Sequence, residues 1–499
     1  MDMRPLLAAA TAVLLGAQPV HAHEARLDLD AATIPQLVRR LDAGTLTSVQ
    51  LTLAYLRRIH TVDRKVRSVV AVDPTALRQA AESDRRRRDG RARGPMDGIP
   101  VLLKDNIDTR GLATTAGSRA LRVPPRDDAE LVTRLRDAGA VVLGKTNLSE
   151  WANFRSTNST SGWSAVGGQT NNPYVLDRNP CGSSSGSGAA VAASLAQVAV
   201  GTETDGSIVC PAGANGIVGL KPSLGVVSAD GIVPISAHQD TAGPMARHVV
   251  DAAILMSVLD RREVSYELAP GALSGARVGV WRQAGKSAET DRVVTSAVEV
   301  LRRAGAVVVE VELPYQEEIG AAEFPALLSE FRHELDGYLA TRVGAPRTLG
   351  ELIAFNERDP VELSRFGQEL FLMARDAPPV TDPGYVEQRR TATALAKRSI
   401  DEVMAEHGLD VIVSPTNSPA WETDYAEGDA FVLGSSSPAA VSGYPNVTVP
   451  AGFAGALPVG LSFMAGHGSD AKLLSLAAAF ESASASRRPP SYLPGASRS

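Results

Sequence analysis

The sequence predicts a single α/β domain in which a large mixed β-sheet is covered by helices on both faces. Short apolar runs alternate with helical segments along most of the chain, and this alternation is typical of α/β proteins. The 499 residues are 44% hydrophobic and 21% charged, which is enough apolar material for one large core. We expect the domain to occupy residues 25–495.

The elements follow from the spacing of apolar residues. Helices are expected first, outside the sheet, at residues 34–41, 48–60 and 74–83. Strands are then expected at residues 99–103, 140–143, 198–200, 217–220, 277–280, 307–311 and 411–413. The helices between and after these strands are expected at residues 128–138, 189–196, 249–259, 291–304, 385–407 and 471–481.

The strand pattern stops between about residues 317 and 383, where a polar, mostly helical segment appears. Its helices are expected at residues 327–339 and 349–357. We interpret residues 317–383 as a substrate-side insertion in the same domain.

The N-terminus has the pattern of a cleaved signal peptide over residues 1–22. Arg4 precedes an apolar, alanine-rich run at residues 6–17, and the small-residue site Val20-His21-Ala22 follows. The run is shorter than the roughly 20 apolar residues that a membrane-spanning helix needs. We therefore expect a secreted or periplasmic protein without a membrane anchor in its mature form; the alternative is the apolar terminus of a cytoplasmic enzyme.

The charge of the chain excludes general attraction to nucleic acid or anionic membranes. The formal net charge is −6 and the pI is near 5.8, so such partners would need a local basic patch. The basic run Arg85–Arg88 follows a helical segment, and we interpret it as a solvated helix C-terminus.

The two cysteines, Cys181 and Cys210, lie in no metal-binding pattern. An oxidising compartment would let them pair, but we expect two small buried thiols. We expect no metal and no organic cofactor.

Two segments rich in serine and glycine, residues 179–190 and 201–209, flank a helix and a strand. Such segments let the backbone approach a substrate and point N–H groups at a developing oxyanion. A serine nucleophile needs a base, and none of the eight histidines lies in a recognisable catalytic context. Lys104 ends the apolar strand at residues 99–103, where burial would lower its pKa and leave it neutral.

Four ordered motifs resemble those of the amidase signature family, and the similarity extends over nearly the whole mature chain. They are the segments at residues 98–105, 182–187, 201–208 and 219–222, joined near the end by residues 443–450. Within the family, the run at residues 203–211 is most similar to bacterial peptide amidases. The resemblance implies the amidase signature fold and the hydrolysis of carboxamides to carboxylic acid and ammonia.

The resemblance also implies the residues that do the chemistry. Ser207 would be the nucleophile, and Lys104 would be the base, acting through Ser183. The peptide bond between Gly182 and Ser183 would be cis. The expected donors to the oxyanion are the backbone N–H groups of Thr204, Asp205, Gly206 and Ser207.

Two departures from the family pattern bear on the substrate. Many members have glycine where Asp205 stands and arginine where Val209 stands. Without that arginine, a substrate carboxylate is not expected here. Both positions are substrate-pocket candidates, and we expect an elongated neutral substrate such as a peptide with an amidated C-terminus, with aryl, fatty or amino-acid amides as alternatives.

Two other sequence patterns indicate different functions, but the surrounding residues fit them less well than they fit the four motifs above. Residues 139–146 satisfy the P-loop pattern, but a helix is expected before Gly139 and a buried strand inside the pattern, so we expect no nucleotide site. Residues 182–186 satisfy the nucleophile-elbow pattern, which would make Ser184 the nucleophile, but no strand directly precedes them.

A function of another class is an exported binding protein that kept the fold without turnover. Retention of Lys104, Ser183 and Ser207 argues against it, since binding needs none of them. A further alternative within the family is the cytoplasmic subunit that releases ammonia for tRNA-dependent amidation. The signal peptide and the valine at position 209, where that subunit usually has arginine, argue against it. The sequence leaves the oligomeric state open.

Overall fold

The computed structural model describes residues 27–495. The predicted signal peptide at residues 1–22 lies outside this range. Within it, 11 strands form one central sheet in the order β1-β3-β2-β6-β8-β7-β12-β13-β11-β9-β10, and β4 pairs with β5 apart from it. The strands are β1 (Val69–Val72), β2 (Pro100–Lys104), β3 (Val141–Thr146), β4 (Trp163–Ser164), β5 (Gly168–Gln169), β6 (Val198–Glu203), β7 (Val218–Lys221), β8 (Thr241–Ala246), β9 (Arg277–Val280), β10 (Val307–Glu310), β11 (Val411–Pro415), β12 (Asn446–Ala454) and β13 (Leu457–Met464).

The sheet is mixed, as predicted. Strand β2 runs parallel to β3 and β6, and β9 runs parallel to β10 and β11. The pairs around β8 and β12 are antiparallel.

Helices flank this sheet. They are α1 (Ile34–Asp42), α2 (Ser48–Val66), α3 (Ala76–Arg88), α4 (Glu130–Asp137), α5 (Ser185–Ala192), α6 (Val209–Ala214), α7 (Val249–Leu259), α8 (Ala288–Arg303), α9 (Gln316–Ala340), α10 (Leu349–Arg358), α11 (Glu369–Asp376), α12 (Pro383–His407), α13 (Ser437–Ser442) and α14 (Asp470–Ser484). A short 3₁₀ helix covers Glu150–Asn153.

The side chains of strand β11 are buried on both faces of the sheet, so helices must pack on both faces. Val411 and Val413 pack into the main core, whereas Ile412 packs with Ile400 of α12 in a separate cluster. Successive side chains of a strand point to opposite faces. The three consecutive apolar residues at the start of β11 therefore bury surface on both sides of the sheet.

Between β10 and β11 the chain forms helices α9 to α12. Helix α9 is longer than predicted and runs through Pro325. Its residues Leu327, Phe331 and Leu335 form a second apolar cluster with Trp151 and Phe371. This cluster holds the helical segment against the loop after β3.

The fold shows where the basic run Arg85–Arg88 and the P-loop pattern at residues 139–146 lie. Residues Arg85–Arg88 form the last turn of α3, where Arg86 bonds Asp97 and Arg87 bonds Asp42. In the P-loop pattern, Gly139 follows the end of α4 with φ +79°, and Val141–Thr146 is a buried strand. The lysine of that pattern, Lys145, is buried 3.2 Å from Asp105 Oδ1, which leaves no loop for a phosphate.

Candidate active site

The candidate site lies at the carboxyl ends of β2 and β6. These strands are parallel neighbours, so the chain leaves both at the same edge of the sheet. Strand β2 ends with Lys104, and β6 leads into residues 204–208 before α6. Helix α5 begins at Ser185, immediately after Ser183 and Ser184. The fold thereby gathers three segments that are separate in sequence.

Lys104 is fully buried and makes three polar contacts. Its Nζ lies 2.8 Å from Ser183 Oγ, 2.9 Å from Thr202 Oγ1 and 3.1 Å from Thr202 O. A neutral amine has two N–H donors and one lone pair. The two oxygens of Thr202 can accept both donors, which leaves the lone pair directed at the Ser183 hydroxyl.

Burial also sets the charge of Lys104. Desolvation lowers its pKa to about 7, against a smaller opposing effect from the carboxylates of Asp240 and Glu203. A large fraction of this lysine is therefore an uncharged amine near neutral pH, as the sequence analysis expected for a base.

The hydrogen-bond chain that begins at Lys104 continues through Ser183 to Ser207. Ser183 Oγ lies 3.0 Å from Ser207 Oγ, and the peptide bond between Gly182 and Ser183 is cis. Ser183 is fully buried, whereas Ser207 is 9% exposed. The structure thus brings together all three predicted catalytic side chains, and Ser207 is the one that reaches the surface.

The loop after β6 supplies backbone donors beside Ser207. The N–H groups of Thr204, Asp205, Gly206 and Ser207 donate to no other group within residues 27–495. Gly206 has φ +76°, a conformation that favours glycine. A row of unpaired N–H groups next to the serine is the arrangement that an oxyanion would use.

Ser184, the serine of the nucleophile-elbow pattern, makes structural hydrogen bonds to the backbone of β6. Its Oγ donates to Thr202 O at 3.0 Å and accepts from Thr202 N at 3.2 Å, and the residue is fully buried. Its hydroxyl therefore fixes the end of β6, and Thr202 in turn holds Lys104.

The two substrate-pocket candidates differ in access. Val209 is the first residue of α6 and is only 1% exposed. Asp205 is partly exposed, and its Oδ1 has no hydrogen-bond partner among the described residues. The side chain of Val209 is therefore closed to a bound molecule, and the Oδ1 atom of Asp205 is likewise inaccessible to solvent.

Several residues of the site were missed by the sequence analysis. Glu203 Oε2 accepts from the N–H groups of Ile208 and Val209 at 2.7 and 3.0 Å, which fixes the turn into α6. Asp240 Oδ1 accepts from Thr204 Oγ1 at 2.5 Å. Glu203 lies within the motif at residues 201–208, so its position near the site could have been predicted. Asp240 lies in no motif that would have indicated its role.

Helix α9 also reaches the site. Glu323 Oε1 accepts from Gln239 Nε2 at 2.7 Å, and the same Nε2 lies 3.3 Å from Thr204 O. Arg389 of α12 donates to Gln239 Oε1 at 2.8 Å. Gln239 thus connects the loop after β6 to the helical segment, a contact that the sequence did not predict.

The expectation of two free thiols is wrong. Cys181 and Cys210 form a disulfide with a Cα–Cα distance of 6.0 Å. Cys181 lies two residues before Ser183 and Cys210 three residues after Ser207. The fold brings these two segments together, which spacing along the chain could not reveal.

The described part of the chain lacks two features, a metal-binding cluster and a membrane-spanning helix. Residues 27–495 contain no group of three or more His, Cys, Asp or Glu side chains placed to hold a metal ion. In the same range, no helix combines the length and apolar character that crossing a bilayer requires.

Comparison with known proteins decides the family. The model of the amidase family matches residues 50–474. The chain belongs to the amidase family. It is 38% identical over 502 residues to a probable amidase of Arabidopsis thaliana, and the match covers 93% of this chain and 92% of that protein. It is 33% identical over 488 residues to a putative amidase of Arthroderma benhamiae, covering 88% and 79% of the two chains.

The fold of this amidase is also that of solved family members. The native peptide amidase from Stenotrophomonas maltophilia superposes with a TM-score of 0.89 at 50% identity, over 93% of this chain and 99% of that one. The predicted likeness to bacterial peptide amidases is confirmed, and the protein is a hydrolase of the amidase type.

Proposed function

We propose that this amidase hydrolyses carboxamides through an acyl-enzyme on Ser207, with Ser183 and Lys104 as the proton relay, and that its substrate is the C-terminal amide of a peptide. The observation that carries the proposal is the line of contacts from Ser207 through Ser183 to a buried lysine, 3.0 and 2.8 Å long. A serine hydroxyl attacks an amide only when a base takes its proton.

The first half of the reaction uses each of these groups. Neutral Lys104 accepts the Ser183 proton as Ser183 accepts that of Ser207, and Ser207 Oγ attacks the carboxamide carbon. The N–H groups of residues 204–207 stabilise the oxyanion, each good donor contributing about 3 kcal/mol. The relay returns the proton to the leaving nitrogen, and ammonia departs from an acyl-Ser207.

In the second half, water attacks the acyl group while giving its proton to the same relay. Collapse of the second oxyanion breaks the bond to Ser207 Oγ and releases the carboxylic acid. The cycle consumes one water and needs no other reactant.

Two observations support a peptide amide. One is the 50% identity to a peptide amidase over 93% of the chain. The other is the helical segment from α9 to α11, which packs on the loop whose Ser149 N–H donates to Ser183 O at 3.0 Å. A cover on this side of the site suits a substrate that extends beyond the scissile carboxamide.

The test is ammonia release from a short C-terminally amidated peptide by the parent protein and by Ser207→Ala, with an aryl anilide and the free-acid peptide alongside. Release by the parent alone supports both the substrate and the nucleophile. If the anilide is cleaved but the amidated peptide releases no ammonia, the substrate is an aryl amide and not a peptide amide. Turnover of neither compound would favour the binding-protein alternative.

We also propose that the protein is exported through the signal peptide at residues 1–22. The disulfide supports this location, since such bonds persist in oxidising compartments. Expression with the native N-terminus in a Gram-negative host tests it: mature protein beginning at His23 should appear in the periplasmic fraction, and intact Met1 in the cytosol would contradict it.

A further inference from the structure

Gln239 is a fully buried glutamine whose side-chain amide connects the loop after β6 to the helical segment. Its Nε2 donates to Glu323 Oε1 of α9 at 2.7 Å and to Thr204 O at 3.3 Å. Its Oε1 accepts from Arg389 Nη1 of α12 at 2.8 Å. A glutamine amide has two N–H donors and one carbonyl acceptor, so these three contacts use every polar group of the side chain.

The neighbours of Gln239 fix the orientation of its amide. Arg389 can only donate hydrogen bonds, and two bonds to the carboxylate of Glu330, at 2.6 and 2.7 Å, hold its guanidinium in place. The carbonyl of Gln239 must therefore face Arg389, and its NH2 group must face Glu323 and Thr204. A reversed amide would place its oxygen against two other acceptors. Gln239 thus presents a donor to Thr204 O.

The contact at Thr204 O bears on the backbone donors of the site. Thr204 O and the N–H of Asp205 belong to one peptide unit, which is trans, so the two groups point in opposite directions. A donor on the carbonyl side restrains the rotation of this unit and polarises its N–H. Thr204 is also held through its side chain, because Thr204 Oγ1 donates to Asp240 Oδ1 at 2.5 Å. The N–H of Asp205 is therefore held pointing away from Gln239.

We propose that Gln239 is a positioning residue of the amidase reaction. Its donor to Thr204 O sets the plane of the peptide unit between residues 204 and 205 and so aims the N–H of Asp205 at the oxyanion. The inference rests on the proposed function, and it adds a residue that acts through the backbone. Arg389 and Glu323 act one contact further away, by holding the amide of Gln239.

A positioning role differs from a purely structural one in its effect on the reaction. Donors aimed at an oxyanion act mainly when negative charge develops on the substrate oxygen, which happens in the transition state. Loss of Gln239 should therefore lower kcat and leave KM almost unchanged. A link that only stabilises the contact between the loop and the helices would change the free energy of unfolding without this effect on kcat.

The test replaces Gln239 by methionine, which has a similar length and makes none of the three hydrogen bonds. With a short C-terminally amidated peptide, kcat of Gln239→Met should fall about 10- to 100-fold. KM should stay within about twofold of the parent value, as expected when only the transition state is affected.

A peptidyl trifluoromethyl ketone gives a second readout that needs no turnover. Ser207 Oγ adds to its carbonyl carbon, the serine proton passes to the relay, and the ketone oxygen becomes the oxyanion. Its dissociation constant, measured by calorimetry, should rise in Gln239→Met by about the same factor as kcat falls.

Tyr385→Phe is the matched control. It removes a hydrogen bond from the same buried network, 2.9 Å from Tyr385 Oη to Glu330 Oε1, without touching Thr204 or Gln239. Its kcat and its affinity for the ketone should stay within about twofold of the parent values, because the oxyanion loop is not altered. Gln239→Asn, whose amide is one methylene shorter, is the second variant and should repeat the pattern if the methionine variant does not fold.

Several results would overturn the inference: an unchanged kcat in folded Gln239 variants, a rise in KM without a fall in kcat, an unchanged affinity for the ketone, or equal losses in Tyr385→Phe. Failure of the proposed function is distinct from these. If the parent protein releases ammonia and Ser207→Ala does not, while Gln239→Met keeps the parent kcat, the proposed function stands and the positioning role falls. If the parent releases no ammonia, binding of the ketone still tests Gln239, and a parent that forms no adduct would overturn both.

Discussion

Lys104 Nζ lies 2.8 Å from Ser183 Oγ, and both side chains are fully buried. Burial is what makes the contact useful, because it lowers the pKa of Lys104 to about 7. A lysine exposed to water would remain charged up to a pH near 10 and could not accept a proton from a serine. The pair and its surroundings lead to four expectations that experiment can check.

The first concerns the pH dependence of activity. Protonated Lys104 cannot act as a base, so kcat/KM should fall as the pH drops below about 7, approaching tenfold per pH unit. The group is active in its deprotonated form, which places the loss on the acid side. Initial rates with an amidated peptide from pH 5 to 9 give the profile; a flat acid limb would contradict the assignment of the base.

The second uses the adjacent serines as a matched pair. Ser183→Ala removes the link between Lys104 and Ser207 and should lower kcat about 10²- to 10⁴-fold. Ser184→Ala removes two hydrogen bonds to Thr202, which should cost about 1 to 2 kcal/mol of stability and much less activity. Both variants are compared by steady-state kinetics and urea unfolding. A larger activity loss in Ser184→Ala would instead favour the nucleophile elbow.

The third tests the charge of Asp240. This carboxylate is the main group that raises the pKa of Lys104 against the effect of burial. Asp240→Asn keeps the shape of the side chain and removes the charge, so the acid limb of kcat/KM should move to lower pH. The parent profile is the reference, and a shift to higher pH would show that Asp240 does not act on Lys104 through its charge.

The fourth concerns the disulfide. Cys181 and Cys210 are 29 residues apart in sequence, and closing a loop of that size stabilises the folded state by about 3.5 kcal/mol. The double variant Cys181→Ala, Cys210→Ala should lose about that much in chemical denaturation. Its stability should no longer respond to a reducing agent, whereas the parent should weaken on reduction. A parent protein indifferent to reductant would contradict a structural role for the bond.

Much of this site could be predicted from the sequence. The motifs around Lys104, Ser183 and Ser207 lie in short segments whose residue types already carry the chemistry. The alternation of strands and helices predicted the mixed sheet, and the parallel pairing of β2 with β6 then placed two of those segments at one edge. Local patterns succeed here because each is contained in a few neighbouring residues.

The tertiary structure alone decided which distant groups share this space. Glu323 lies 116 residues after Ser207 on a helix with no catalytic pattern, yet its carboxyl group acts on that of Asp205. Cys181 and Cys210 pair because the loop before α5 meets α6. The pKa of Lys104 depends on the depth at which β2 is buried. Sequence determined the chemistry available, and packing determined its distances, desolvation and charge, since all three arise from contacts between segments far apart in the chain.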